Sequence, residues 1–295
     1  MFEETIMDWD SWAKVYQSIP TFTKLIESIW QKHGWAISSI ENCQAGTNAV
    51  FKVGDKIIKI FAPIESTCDT QHDYDIEVEG ILYAQNYVHT PELLAQGMIQ
   101  DKYLFRYIVL KYIEGSPLSL KMFDYDRNAK LEIGKQLRRM TDAIGLPNVL
   151  KEINYLENAK QNTRWKSLPS SFQKERLEYL NQLELKSTIY VHGDLNGDNL
   201  IINSKQILYM IDFADALMAP IEYEWAVIIC ELFQFDRDYL KGYFGELSID
   251  EYIRICIEGL LIHDFGANII EDRISKLGEI KNINILKQKI REKLI

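Results

Sequence analysis

The run Tyr190-Val191-His192-Gly193-Asp194-Leu195-Asn196-Gly197-Asp198-Asn199-Leu200 sets an Asp and, five residues later, an Asn in a polar loop between two apolar strands. Thirteen residues after Asn199 stands Asp212, at the end of Ile207-Leu208-Tyr209-Met210-Ile211. Strands on either side of the loop would bring Asp194, Asn199 and Asp212 to one end of a hairpin. Phosphoryl transfer needs such a set. One carboxylate orients the attacking hydroxyl and accepts its proton, while an amide oxygen and a second carboxylate hold Mg²⁺ between the phosphates. A polar turn between strands is the competing reading. His-Gly-Asp with an Asn at this spacing arises in on the order of one such chain per thousand from residue frequencies alone, and Asp212 lowers that further.

The elements that must position this set follow from periodicity. Residues 8–33 read as a helix, with Trp9, Trp12, Leu25, Ile26, Ile29 and Trp30 at helical spacing. Strand-like runs follow at Ile37–Asn42, Ala49–Val53 and Lys56–Phe61, the last two joined by Val53-Gly54-Asp55 as in a hairpin. A helix over 73–88 precedes two more strands, Leu93–Met98 and Tyr103–Ile113. After Gly115-Ser116-Pro117 helices dominate, at 126–143, 170–184 and 221–234, and from Ser248. Ser170 with Gln173 and Ser248 with Glu251 have capping-box spacing. Two short strands, 199–203 and 206–212, lie between the second and third of these helices. The order predicts an α+β chain. Residues 1–110, with a helical extension over 1–35, form a β-rich lobe, and 111–295 a larger helical one.

His192-Gly193-Asp194 through Asn199, then Ile211-Asp212-Phe213, resemble the aminoglycoside phosphotransferase and choline-kinase-like family. The resemblance can be followed from about residue 40 to about 265 and implies a two-lobed, protein-kinase-like fold. It implies that Asp194 is the catalytic base, that Asn199 and Asp212 are Mg²⁺ ligands, and that ATP or GTP is the donor. Lys59, in the apolar strand Ile57–Phe61, resembles the third-strand Lys that grips the α- and β-phosphates. Its partner would be a Glu on the next helix. The family pattern favours Glu79, with Glu77 as the alternative, because positions two apart on a helix cannot both face one Lys. Tyr107–Gly115 resembles the hinge strand, where the base would bond the backbone of Lys111 and Ile113 beneath Leu110.

The departures are informative. The phosphate-covering loop would be Gln44-Ala45-Gly46-Thr47-Asn48-Ala49-Val50, with one Gly, so backbone amides, Thr47 and Asn48 would do the work. Asp-Phe-Gly reads Asp212-Phe213-Ala214, and Glu224 stands where the family has an Asp bracing the catalytic loop. Only six residues separate Phe213 from Pro220, too few for an activation loop that positions a peptide. Together with His-Gly-Asp in place of His-Arg-Asp, this argues for a small-molecule acceptor and against a protein substrate.

Composition narrows the rest. The chain has 295 residues with a formal net charge of −10 and shows no basic face for nucleic acid. MFEETIMDWD carries acids where a secretory leader carries Lys or Arg, and no apolar run has membrane length, so a cytoplasmic protein is expected. Cys43, Cys68, Cys230 and Cys256 have neither disulfide-framework nor zinc spacing. Residues 210–264 hold twelve acids against three bases. Asp215, Glu222, Glu231, Asp236, Asp238 and Asp264 are therefore candidates for pairing with the ammonium groups of a polycationic acceptor such as an aminoglycoside. A solvated acidic face is the competing reading. A zwitterionic or neutral alcohol (homoserine, choline or a methylthioribose-like sugar) is the alternative acceptor. A catalytically inactive nucleotide-binding regulatory module is the third reading. His263, in an apolar helix, reads as a packed histidine rather than a ligand.

Overall fold

The computed structural model describes residues 1–44, 46–68 and 70–295. The chain divides into two compact units: Met1–Glu114 with Asp212–Ala214, and Gly115–Ile211 with Asp215–Ile295.

The first unit opens with α1 (Trp9–Ala13) and α2 (Ile19–Lys32), where periodicity predicts one helix. The break has a local cause. Pro20 sits in the first turn of α2, has no N–H to donate and would clash with the preceding turn, while Ser18 is extended at the N-cap. A five-stranded antiparallel sheet follows, from β1 (Ile40–Asn42), β2 (Ala49–Val53), β3 (Lys56–Ile60), β4 (Leu93–Gln100) and β5 (Leu104–Lys111), in the order β1-β2-β3-β5-β4. Gly54, at φ +63°, makes the tight β2–β3 turn. Register sets Lys59 between Val50 and Ile108. The apolar stripe of α2 (Phe22, Leu25, Ile26, Ile29, Trp30) packs on Phe51, Val53, Ile58, Phe105 and Tyr107 of the sheet. Helix α3 (Thr70–Ala84) lies between β3 and β4 in sequence and packs on β5.

The second unit is mostly helical. After β6 (Ser116–Pro117) come α4 (Arg127–Ile144), α5 (Tyr155–Gln161) and α6 (Ser170–Gln182). Short strands β7 (Ile189–Val191), β8 (Leu200–Ile202), β9 (Leu208–Met210) and β10 (Leu217–Ala219) pair antiparallel, β7 with β10 and β6-β8-β9 in a row. Then follow α7 (Ile221–Val227), α8 (Arg237–Phe244), α9 (Ile249–Leu260), α10 (Gly266–Ile269) and α11 (Ile283–Leu294). The Ser248–Glu251 capping box forms on α9. That expected at Ser170 does not. Pro169 takes the N-cap of α6, and the Gln173 amide instead donates to the Leu168 carbonyl at 2.6 Å. Helices α7 and α10 each run into a π-helical turn, Ile228–Leu232 and Ile270–Ile274, with Phe233 N–H and Ser275 N–H bonding back five residues. Arg273 of one turn forks onto the Glu231 carboxylate of the other at 2.7 and 3.0 Å. Among the described residues no helix is long and apolar enough to cross a membrane.

Candidate active site

In the second unit, β7 delivers the chain into the loop at His192, and the loop is held from behind by side chains distant in sequence. Glu224, 2% exposed on α7, accepts the backbone N–H of His192 at 2.5 Å and of Gly193 at 3.3 Å. It is the brace expected from the sequence. Burial pushes its carboxyl up to about 7 and the Asp194 charge adds to this, against the two amides that favour the charged form. Gly193 lies at φ +83°, and an added Cβ would run into the Asp215 carbonyl. The Gly193 carbonyl accepts from His263 Nε2 at 3.1 Å, while His263 Nδ1 accepts the Phe265 N–H at 3.0 Å. These partners fix one neutral tautomer, and burial pulls its pKa down to about 3. The ring lies on Tyr223, centroids 3.9 Å apart. His263 is packed, as expected, but it also holds the loop. Nothing in its sequence context marks that role, because its partner is a backbone atom 70 positions away.

The loop then presents its two candidates together. The Asp194 carboxylate accepts from Asn196 Nδ2 at 3.0 and 3.1 Å and from Asn199 Nδ2 at 3.0 Å. Asn199 Nδ2 also donates to the Asp194 carbonyl at 2.8 Å. Both bonds engage the Asn199 amide nitrogen. Asn196 in turn accepts the N–H groups of Asp198 and Asn199 at 2.8 and 3.2 Å, closing the turn. Leu200 pairs with Met210, and the Asn199 carbonyl accepts the Ile211 N–H at 3.0 Å, opposite the residue before Asp212.

In the first unit, Lys59 is 7% exposed and donates to Glu77 at 2.5 Å and to Asp212 at 2.7 Å. Burial works against the ammonium, but the Asp212 and Glu77 charges outweigh it and hold Lys59 protonated well above the usual lysine range. The helix partner is thus Glu77, 1% exposed, and not Glu79, which points to solvent. The one face of α3 turned to the sheet admits Glu77, Val78 and Ile81, leaving Glu79 on the far side.

The Gly-poor loop is held in two places: Trp12 Nε1 donates to the Thr47 carbonyl at 2.9 Å, and Asn48 Oδ1 accepts the Ala62 N–H at 3.1 Å. Thr47 is exposed, whereas Asn48 is buried, so the Asn48 side chain fastens the loop to the end of β3 rather than facing outward. Ala45 lies outside the described residues. On β5, which the sequence predicts as the hinge strand, Leu110 is buried and the Lys111 N–H is taken by the Glu92 carbonyl at 2.9 Å. The Tyr112 N–H goes to Asp55.

The acidic segment is less open than its composition suggests. Glu222 pairs with Lys186 (2.9 Å), Glu231 with Arg273, Asp236 with Lys130 (2.6 Å) and Asp238 with Arg127 (3.2 Å). Asp236 also caps α8. Asp264 is half-buried, and burial raises its pKa against the pull of the Tyr223 hydroxyl. Asp215 is exposed at the end of the loop region. Among the described residues no cluster of three or more His, Cys, Asp or Glu forms a protein-only metal cage. The second unit offers the Asn199 amide oxygen and the first the Asp212 carboxylate, each a hard oxygen donor of the kind Mg²⁺ accepts.

A kinase-like α+β chain with this Lys–Glu pair and this Asp–Asn loop is a phosphotransferase scaffold. Residues 47–252 match the model of the phosphotransferase enzyme family. The chain belongs to that family. No curated protein sequence matches it significantly. Among solved structures it is similar to the GDP complex of aminoglycoside 2′-phosphotransferase-IIIa, at 18% identity and TM-score 0.61, covering 94% of this chain and 99% of that one. It is also similar to ADP-bound APH(2″)-Ib, at 14% identity and TM-score 0.60, covering 92% and 99%. The streptomycin–ATP–APH(2″)-IIa ternary complex matches at 15% identity and TM-score 0.55, covering 84% and 91%.

Proposed function

We propose that this protein is a small-molecule kinase that moves the γ-phosphate of ATP or GTP to a hydroxyl of an aminoglycoside-type acceptor. The observation that carries the reading is Lys59, buried and charged between Glu77 and Asp212. An ammonium so held is fixed in place for the α- and β-phosphates, and its desolvation is offset by two carboxylates rather than by folding alone. Mg²⁺, held by Asn199 and Asp212, would neutralise the charge on the phosphates. Asp194 would accept the acceptor's hydroxyl proton as that oxygen bonds to the γ-phosphorus, and the bond from phosphorus to the β,γ-bridging oxygen breaks to release the nucleoside diphosphate. The amides of Asn196 and Asn199 hold the carboxylate in orientation for that transfer.

A second acceptor class, a metabolite alcohol with one positive charge or none, is favoured by a specific observation: four of the six candidate acids are already in ion pairs. A screen of nucleotide consumption across aminoglycosides, amino alcohols and sugars separates the readings. Acceptor-dependent turnover with an aminoglycoside supports the first, and turnover only with a small alcohol or sugar moves the assignment to the second. Nucleotide binding with no acceptor-dependent turnover would make the protein an inactive nucleotide-binding module.

A further inference from the structure

The first seventeen residues carry no chemistry that the kinase reading uses, yet they are fastened tightly. Tyr103 Oη accepts the Ile6 N–H at 2.8 Å, and Lys102 Nζ donates to the Glu4 carbonyl at 2.8 Å and to Thr5 Oγ1 at 3.0 Å. Phe2 packs edge-on against Phe22 and Tyr103. This segment leads into α1, whose five residues are too few to hold a helix alone. Two features keep it in place. Asp8 and Ser11 form a capping box, and Trp12 is fully buried, edge-on to Phe22, which in turn meets Phe51 of β2. The Trp12 indole spends its one donor on the Thr47 carbonyl at 2.9 Å.

We propose that Trp12 is a positioning residue of the nucleotide site, and that α1 does from outside what a glycine-rich sequence does from within: it sets the backbone of the phosphate-covering loop. The role rests on the kinase reading above and acts through Thr47 and Asn48. A trans peptide is planar, so a Thr47 carbonyl turned toward α1 turns the Asn48 N–H away from it. The Asn48 side chain, anchored on Ala62, locks the other end of the same peptide. Thr70 Oγ1 donates to the Ala62 carbonyl at 2.5 Å, so the anchor itself is tied to the start of α3. The peptide between 47 and 48 is therefore fixed before any ligand arrives, with a backbone donor directed to the side away from α1. A preset donor of this kind is what an anionic phosphate oxygen binds, and presetting lowers the ordering cost of binding.

Trp12→Phe keeps the buried ring and removes only the N–H. Trp30→Phe, an equally buried ring of the same core, controls for lost packing. Calorimetry with Mg-ATP and Mg-GTP should show Trp12→Phe weakening the preferred nucleotide about fivefold, the worth of one neutral hydrogen bond. Trp30→Phe should lower Tm with nucleotide affinity unchanged. At saturating nucleotide the KM for the acceptor should be the same in Trp12→Phe and wild type. Asp8→Ala, an exposed change that removes the cap of α1, should shift nucleotide affinity in the same direction, and bound nucleotide should slow amide exchange over residues 9–16. Wild-type nucleotide affinity in folded Trp12→Phe, or equal losses in the two Phe variants, overturns the positioning role and leaves the kinase reading intact. No nucleotide binding by the wild type overturns both.

Discussion

The loop proposed to cover the phosphates, in the first unit, and the loop proposed to be catalytic, in the second, are both held by groups outside themselves, but the holding groups differ in kind. Around residues 47–48 the ties are neutral: an indole N–H and a side-chain amide. Around 192–194 they are a buried carboxylate and a buried imidazole, Glu224 and His263. A neutral tie costs little to bury once bonded, whereas a carboxylate costs more and gains more from each N–H it accepts. The nucleotide loop should thus yield gradually to mutation and be indifferent to pH. The catalytic loop should fail abruptly and feel pH.

The sharpest test lies at the catalytic loop's own acid. Asp194→Asn should lower kcat by about 10²–10⁴-fold while nucleotide affinity stays near wild type. Near-normal turnover would remove Asp194 from the mechanism. Next in size is its brace: Glu224→Ala leaves two buried N–H groups without an acceptor and opens a cavity, a loss of about 2–4 kcal/mol by chemical denaturation. A loss below that of Trp12→Phe would abolish the contrast between the two loops.

The pH test is smaller. Glu224 titrates near 7 folded and near 4.5 unfolded, so the folded state binds the proton more tightly. Its contribution then declines as pH rises from about 4.5 to about 7 and levels off above, by at most about 3 kcal/mol. Glu224→Gln should flatten that part of the stability profile, and an unchanged profile would locate the pH response elsewhere. The smallest effect concerns the acidic segment. Asp236→Asn should lower stability by about 1 kcal/mol, through the Lys130 pair and the α8 cap, with acceptor KM unchanged. A large rise in acceptor KM would return Asp236 to the acceptor site.

How much of this was legible follows from the same contrast. Asp194, Asn199 and Asp212 stood out because their spacing is short and each lies beside a strand whose pattern is plain. The hairpin register then brings Asn199 opposite Ile211. Lys59, one of several Lys in apolar strands, was picked out by the family resemblance, which did not pick out its partner. Glu77 and Glu79 differ only in which face of α3 turns to the sheet, and with a residue as polar as Asp75 or His72 on either side the helix pattern does not say. The acidic segment is less open than a charge count suggests, since such a count misses bases far off in the chain: Lys130, Lys186 and Arg273 each neutralise part of it. Cys230 and Cys256 tell the same story, 26 positions apart in sequence and 3.6 Å apart, sulfur to sulfur, in the core. Trp12 read as one more apolar residue, because a carbonyl partner leaves no mark in sequence.

The two facing π-turns bear on how the chain tolerates changes of length. Each is a helix holding one residue more than α-geometry needs. Deleting a residue within Ile228–Leu232 could relax that turn to ordinary helix, but it would swing everything on one side of the deletion by about 100° relative to the other. Glu231 would then leave Arg273, whose own turn keeps its extra residue. A matched deletion in Ile270–Ile274 would be needed to bring the pair back into register, so at these two places insertions and deletions should survive only in couples.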